Sequence, residues 1–99
     1  MALDVIVRAY TGERIASCEH CSLNRLCEYA STAGIPMLGH IDPYDDTIFN
    51  RMQMPLVQAE LIDLSQTAPP DIAEAARELL VLVEHVTAKP HRYLVFSGD

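Results

Sequence analysis

Tryptophan is absent from this 99-residue chain, glycine occurs only four times, and positive charge is scarce. Each shortage closes off a class of function. With so few glycines, no glycine-rich loop of the kind that cradles phosphates is present. Seven basic side chains stand against fourteen acidic ones, for a formal net charge of −7. Nucleic-acid phosphates demand the opposite sign, so no nucleic-acid partner is expected. No apolar run approaches the length of a membrane span. The opening MALDVIVRAY carries Asp4, and its apolar run is too short for a secretory core. No membrane partner and a cytoplasmic location are therefore expected. The three cysteines are an odd number, which a closed disulfide framework would not use up, and reduced thiols fit the same compartment.

Apolar side chains make up 49% of the residues, enough to build the core of one small domain spanning residues 1–99. Leu3 to Ala9 alternates Leu3, Val5 and Val7 with Asp4, Ile6 and Arg8, which predicts a strand. Thr11-Gly12-Glu13 is a turn signal, and Ile15 and Ala16 extend a short second strand. Ser22 to Ala33 places Leu23, Leu26, Cys27 and Ala30 on one helical face, with Ser22 as the expected N-cap. Gly34 and then Pro36 stop that helix.

Asp42-Pro43 opens a turn. Asp45, Asp46 and Thr47 then sit where a helix is expected to begin, their carboxylates meeting its positive end. Ile48, Phe49 and Met52 would be its first buried residues. Pro55 should break or kink it, leaving a short turn to about Gln53 and a second segment from Pro55 to Leu64 with Leu56, Val57, Leu61 and Leu64 inward. After a linker at Thr67 to Pro70, Asp71 with Glu74 three residues on predicts a capping-box start to a long helix. Its inner face is Ile72, Ala75, Ala76, Leu79, Leu80, Val83 and Val86, and Lys89-Pro90 ends it. His91 to Ser97 returns to strand alternation. The expected fold class is α+β, with three to four helices packed on a short sheet. An isolated strand cannot satisfy its own backbone, so the N- and C-terminal strands are expected to pair.

Two constellations could carry chemistry. In SCEHCSLNRLC, Cys18 and Cys21 form a Cys-x-x-Cys pair and Cys27 follows six residues later. A structural zinc ion takes four ligands, so these three need a partner such as His20, His40, His85 or His91. No second Cys-x-x-Cys reinforces the signal, and Cys27 also reads as a core residue. Asp42, Asp45 and Asp46 offer hard oxygen ligands, but their spacing is not that of a calcium loop, and turn formation accounts for them without an ion. No local pattern positions a nucleophile beside a base, so no catalytic residue is assigned.

The segments IDPYDDTIFNRMQ, Ile41 to Gln53, and HRYLVFSGD, His91 to Asp99, resemble small bacterial proteins of about this length. Those proteins carry an IDPYxDTxFN loop and a YLxFxGD tail, and have no assigned activity. Asp42, Pro43, Tyr44, Asp46, Thr47, Phe49, Asn50, Gly98 and Asp99 match residue by residue. The cysteine group is not part of that pattern.

If loop and tail meet in space, Asp42, Tyr44, Asp45, Asp46, Asn50, Arg51 and Asp99 would form one acidic, aromatic-edged face. Such a face suits a basic protein partner. The expected function is a small acidic binding protein, most concretely an immunity-type inhibitor covering a basic bacterial toxin. The alternative is a small zinc protein, structural or regulatory, built on Cys18, Cys21 and Cys27. A short sheet with free edges also permits a homodimer.

Overall fold

A computed structural model describes residues 3–98. Four strands form one antiparallel sheet in the order β2-β1-β4-β3, where β1 is Asp4–Ala9, β2 Arg14–Cys18, β3 Thr47–Phe49 and β4 Arg92–Ser97. The first and last strands pair as the sequence predicts, from Asp4 opposite Ser97 to Ala9 opposite Arg92. Three helices complete the fold: α1 Leu23–Ala33, α2 Met54–Thr67 and α3 Pro70–Ala88. Among the described residues, no helix is long and apolar enough to cross a membrane.

The core lies between one sheet face and the helices. Val5, Val7, Leu94 and Phe96 point into it from the central strands, where they join Leu26, Val57, Leu61, Leu79 and Val86. The long helix α3 packs on β1, β2 and β4, and α1 and α2 pack on α3. This arrangement follows from the period of each element. Alternate strand residues share a face, while residues three or four apart share a helical stripe. Gly34 ends α1 in the left-handed region (φ 71°), its N–H bonded to the Ser31 carbonyl and that of Ile35 to Ala30. Gly12 has φ 97° in the β1–β2 turn, a conformation glycine adopts without steric cost.

The structure corrects the reading of residues 45–56. No helix starts at Asp45. Thr47–Phe49 is a strand on the edge of β4, with Thr47 opposite Phe96 and Phe49 opposite Leu94. Of the three residues expected to be buried, only Phe49 is; Ile48 is 49% and Met52 89% exposed. Thr-Ile-Phe is good strand material, and the free edge of β4 supplies the missing hydrogen-bond partners. The helical start comes at Asn50. Its side chain accepts the Gln53 N–H at 3.1 Å, and the Gln53 side chain accepts the Asn50 N–H at 2.8 Å. A 3-10 turn, Arg51–Gln53, leads into α2. The short turn ending at Gln53 and the new segment at Pro55 are as expected: Pro55 falls in the first turn of α2, where an absent N–H costs nothing, and the helix runs on to Thr67. Met54 replaces the exposed Leu56 in the buried stripe.

Two expected caps also take other roles. The N-cap of α3 is Pro69, with no side-chain cap bond, and Asp71 instead accepts from the Ser22 hydroxyl at 3.1 Å and from Arg25. Ser22 does occupy the N-cap position of α1, but its hydroxyl makes that bond across to α3 and does not cap its own helix.

Candidate functional site

The loop from Asp42 to Asp46 is fastened at both ends. The Asp42 N–H donates to the Thr47 hydroxyl at 2.9 Å, and the Asp42 carboxylate accepts the Tyr44 N–H at 2.8 Å, an Asx turn. Asp45 accepts the N–H of Asp46 at 2.8 Å. On the other side, the Gly98 N–H donates to the Asp45 carbonyl at 3.2 Å. A side chain at Gly98 would meet the Asp45 backbone N and O at 2.5 Å and the Asp42 carbonyl at 2.9 Å, so only glycine permits this approach. Loop and closing strand therefore lie together, as the binding reading requires. Asp42, Asp45 and Asp46 are exposed, and Tyr44 stands out 72% exposed.

The expected face is nevertheless divided. Asn50 and Arg51 lie past the far end of β3, where the Arg51 guanidinium donates to the Thr87 carbonyl at 3.2 Å. A three-residue strand separates the two groups, about 10 Å of chain. Asp99 lies outside the described residues. Beside the loop, a cleft of about 350 Å³ opens between α1 and the chain at Leu3, Ile41 and Pro43, with Asn24, Cys27, Glu28, Ser31 and Thr32 on its helical side.

A second cluster joins the β2–α1 turn to α3. His20 Nε2 lies 2.9 Å from Glu74 Oε1 and 3.5 Å from Glu78 Oε2. Its Nδ1 accepts the Ser22 N–H at 3.0 Å. An acceptor Nδ1 leaves the proton on Nε2, which donates to the carboxylates. A cation bound at Nε2 would need the opposite tautomer, with a proton on Nδ1 where a backbone N–H already points. The arrangement is that of a hydrogen-bonded clasp. With Ser22, Arg25 and Asp71 it ties the start of α1 to the start of α3. Burial draws the Asp71 carboxyl upward, but the Ser22 hydroxyl, Arg25 and the backbone N–H groups of Asp71 and Ile72 outweigh it and hold the group below its ordinary value.

The three cysteines take separate environments. Cys18, buried at the end of β2, donates its thiol to Glu78 Oε1 at 3.8 Å. Burial chiefly raises its pKa, and the Glu78 carboxylate adds to the rise. Cys27 is buried on α1, and burial pushes its thiol up to about 12. Cys21 is exposed in the turn. Among the described residues the three sulfurs do not converge into a group that could hold one ion. Holding an ion with all three would require the turn and α1 to shift.

This separation sets their reactivity, because the thiolate is the attacking species and needs access. With a colorimetric disulfide reagent near pH 8, Cys21 is expected to react as a single fast phase that Cys21→Ser removes. Cys18 and Cys27 should follow only on unfolding in urea. Equal rates for all three thiols would contradict these placements.

Sequence reasoning missed Glu60. Its carboxylate accepts the N–H groups of Met37 and Leu38, both at 2.9 Å, and so anchors the chain between α1 and the acidic loop onto α2. Nothing local marks it, since its partners lie 22 and 23 residues away. The His20 clasp was equally hidden, since Glu74 lies 54 positions after His20 in the chain. Comparison with protein-family models, with curated proteins and with solved structures finds no match to this chain.

Proposed function

We propose that this chain is a small acidic binding protein whose recognition surface is the Asp42–Asp46 loop together with the adjoining cleft. The observation that carries the reading is the backbone contact between Gly98 and Asp45, which holds the loop in one shape before any partner arrives. A preorganised loop loses little freedom on binding, so more of its contact energy appears as affinity. Exposed carboxylates at Asp42, Asp45 and Asp46 favour a basic target, and the net charge of −7 adds long-range attraction. The cleft fits the same chemistry. Leu3, Ile41 and Pro43 would take the aliphatic stem of a lysine or arginine, and Glu28 would meet its charged tip. The most concrete partner is a basic bacterial toxin whose active surface the loop would cover.

The test uses purified basic toxins of bacterial origin, titrated with the wild-type chain and with a variant carrying Asp45→Lys and Asp46→Lys. A true partner should lose at least about 100-fold in affinity with the variant, since juxtaposed like charges cost several kcal/mol. Co-expression should show the same loss of protection. If the wild type binds none of them, or the variant binds and protects equally well, the proposal fails.

A further inference from the structure

The helices cover one face of the sheet and leave the other open. On that open face Asp4, Ile6 and Arg8 follow one another along β1, because Val5 and Val7 between them point into the core. Register places Ile6 opposite Val95 on β4, and Val95 opposite Ile48 on β3. The three form an apolar rung across three strands. Val95 stands outside the main core cluster and is already covered by its neighbours on the far side of the sheet, so the accessible apolar surface of the rung is Ile6 and Ile48. Ile48 is half exposed, and a depression of about 260 Å³ lies between it, Tyr93 and Arg8.

Charge on this face is polar along the strands. One end carries Asp4, next to the last residue of β4, with the Asp42–Asp46 loop packed just beyond at Gly98. The other carries Arg8, paired with Arg14 of β2. Among the described residues no ion pair engages Asp4, Arg8 or Arg14. An apolar centre between an acidic and a basic end is self-complementary under one operation only. A two-fold axis in the plane of the face and across the strands stacks each strand on its own copy with direction reversed. It sets Ile6 on Ile6 and Ile48 on Ile48, and brings Asp4 of each copy to Arg8 of the other. An axis along the strands would instead set acid on acid.

We propose that the open sheet face binds a second copy of this chain in that strand-reversing, two-fold arrangement. The proposal goes beyond the loop's role and uses a different surface. Two sheets stacked face to face in this way pack about 10 Å apart with strands nearly aligned. The strands, six, five, three and six residues long at about 3.3 Å each and spaced about 4.8 Å apart, give a face of roughly 300 Å² on each copy. That lies below what standard-size specific interfaces bury, so the dimer is weak and transient.

The experiment is sedimentation velocity at physiological salt over a concentration series, on the wild type, on Arg8→Glu, on Asp4→Arg, and on an equimolar mixture of the two variants. Each symmetric contact occurs twice, so either variant alone turns two attractions into two repulsions and should weaken self-association by about 30-fold. In the mixture the introduced glutamate of one chain meets the introduced arginine of the other. The unchanged Asp4 of the first chain meets the unchanged Arg8 of the second, and a heterodimer of near wild-type strength should return. That recovery can be seen only if both variants fold. A wild type that stays monomeric up to about 1 mM would overturn the proposal. So would a dimer indifferent to both reversals, which would point to pairing through a sheet edge, or a mixture that fails to recover.

Discussion

Replacing Phe96 with alanine is expected to lower the unfolding free energy by about 3–5 kcal/mol, a large share of what a domain this small possesses. Phe96 is fully buried and the largest of the enclosed side chains. Its ring meets Phe49 edge-on with centroids 5.8 Å apart. Its backbone pairs with Val5 on one side and Thr47 on the other. One side chain thus serves the β1–β4 pairing, the capture of β3 and the floor of the helical core. Truncation removes the transfer energy and leaves a cavity beneath the edge strand. Urea unfolding followed by circular dichroism should show a midpoint displaced far downward with a similar slope, or a chain already part unfolded in water. Because β3 leads directly from the acidic loop, the variant should also lose whatever binding the loop supports. An unfolding free energy within about 1 kcal/mol of wild type would mean that β3 and Phe49 do not rest on Phe96.

Glu60→Ala should cost about 2 kcal/mol, more than an ordinary surface substitution, because it strands two backbone donors at once. The N–H groups of Met37 and Leu38 begin a 3-10 turn, Leu38–His40, and have the Glu60 carboxylate as their partner. Leu38 is fully buried, so water cannot replace the lost acceptor at low cost. Glu60→Gln keeps an acceptor oxygen but gives up the charge and one of the two oxygens, and should fall between alanine and wild type. Hydrogen exchange offers a sharper readout than global stability. The amides of Met37 and Leu38 should lose protection in Glu60→Ala while those of α3 keep theirs. Unchanged protection at both amides would show that the carboxylate does not hold this connection.

Much of the architecture is legible from local pattern. The strand alternation of β1 and β4, the apolar stripe of α1, its glycine stop and the long stripe of α3 each depend on residues within a few positions of one another. Pairing of the terminal strands follows from the need to satisfy backbone groups. The region from Asp45 to Gln53 misleads because two local signals compete there. Acidic residues before an apolar pair resemble a helix start, while Thr-Ile-Phe favours a strand. The capping box from Asn50 to Gln53 is the discriminating signal, and it is present in the sequence. Asp71 raises the same ambiguity. An aspartate before a helical stripe is a credible cap, and only Ser22 and Arg25, 49 and 46 residues earlier in the chain, draw it elsewhere.

The candidate site divides along the same line. The amino-acid order alone determined that a turn opens at Asp42-Pro43, because proline and the Asx hydrogen bond act within the turn itself, whereas Asp45 and Asp46 read as a helix start that the structure does not contain. Only the tertiary structure decided that this turn rests against Gly98, that Arg51 lies apart from it, and that α3 packs across β1, β2 and β4. Local preferences are small and short-ranged. Partners brought together from opposite ends of the chain outweigh them, because each buried polar group and each open strand edge must find its complement wherever the fold puts it.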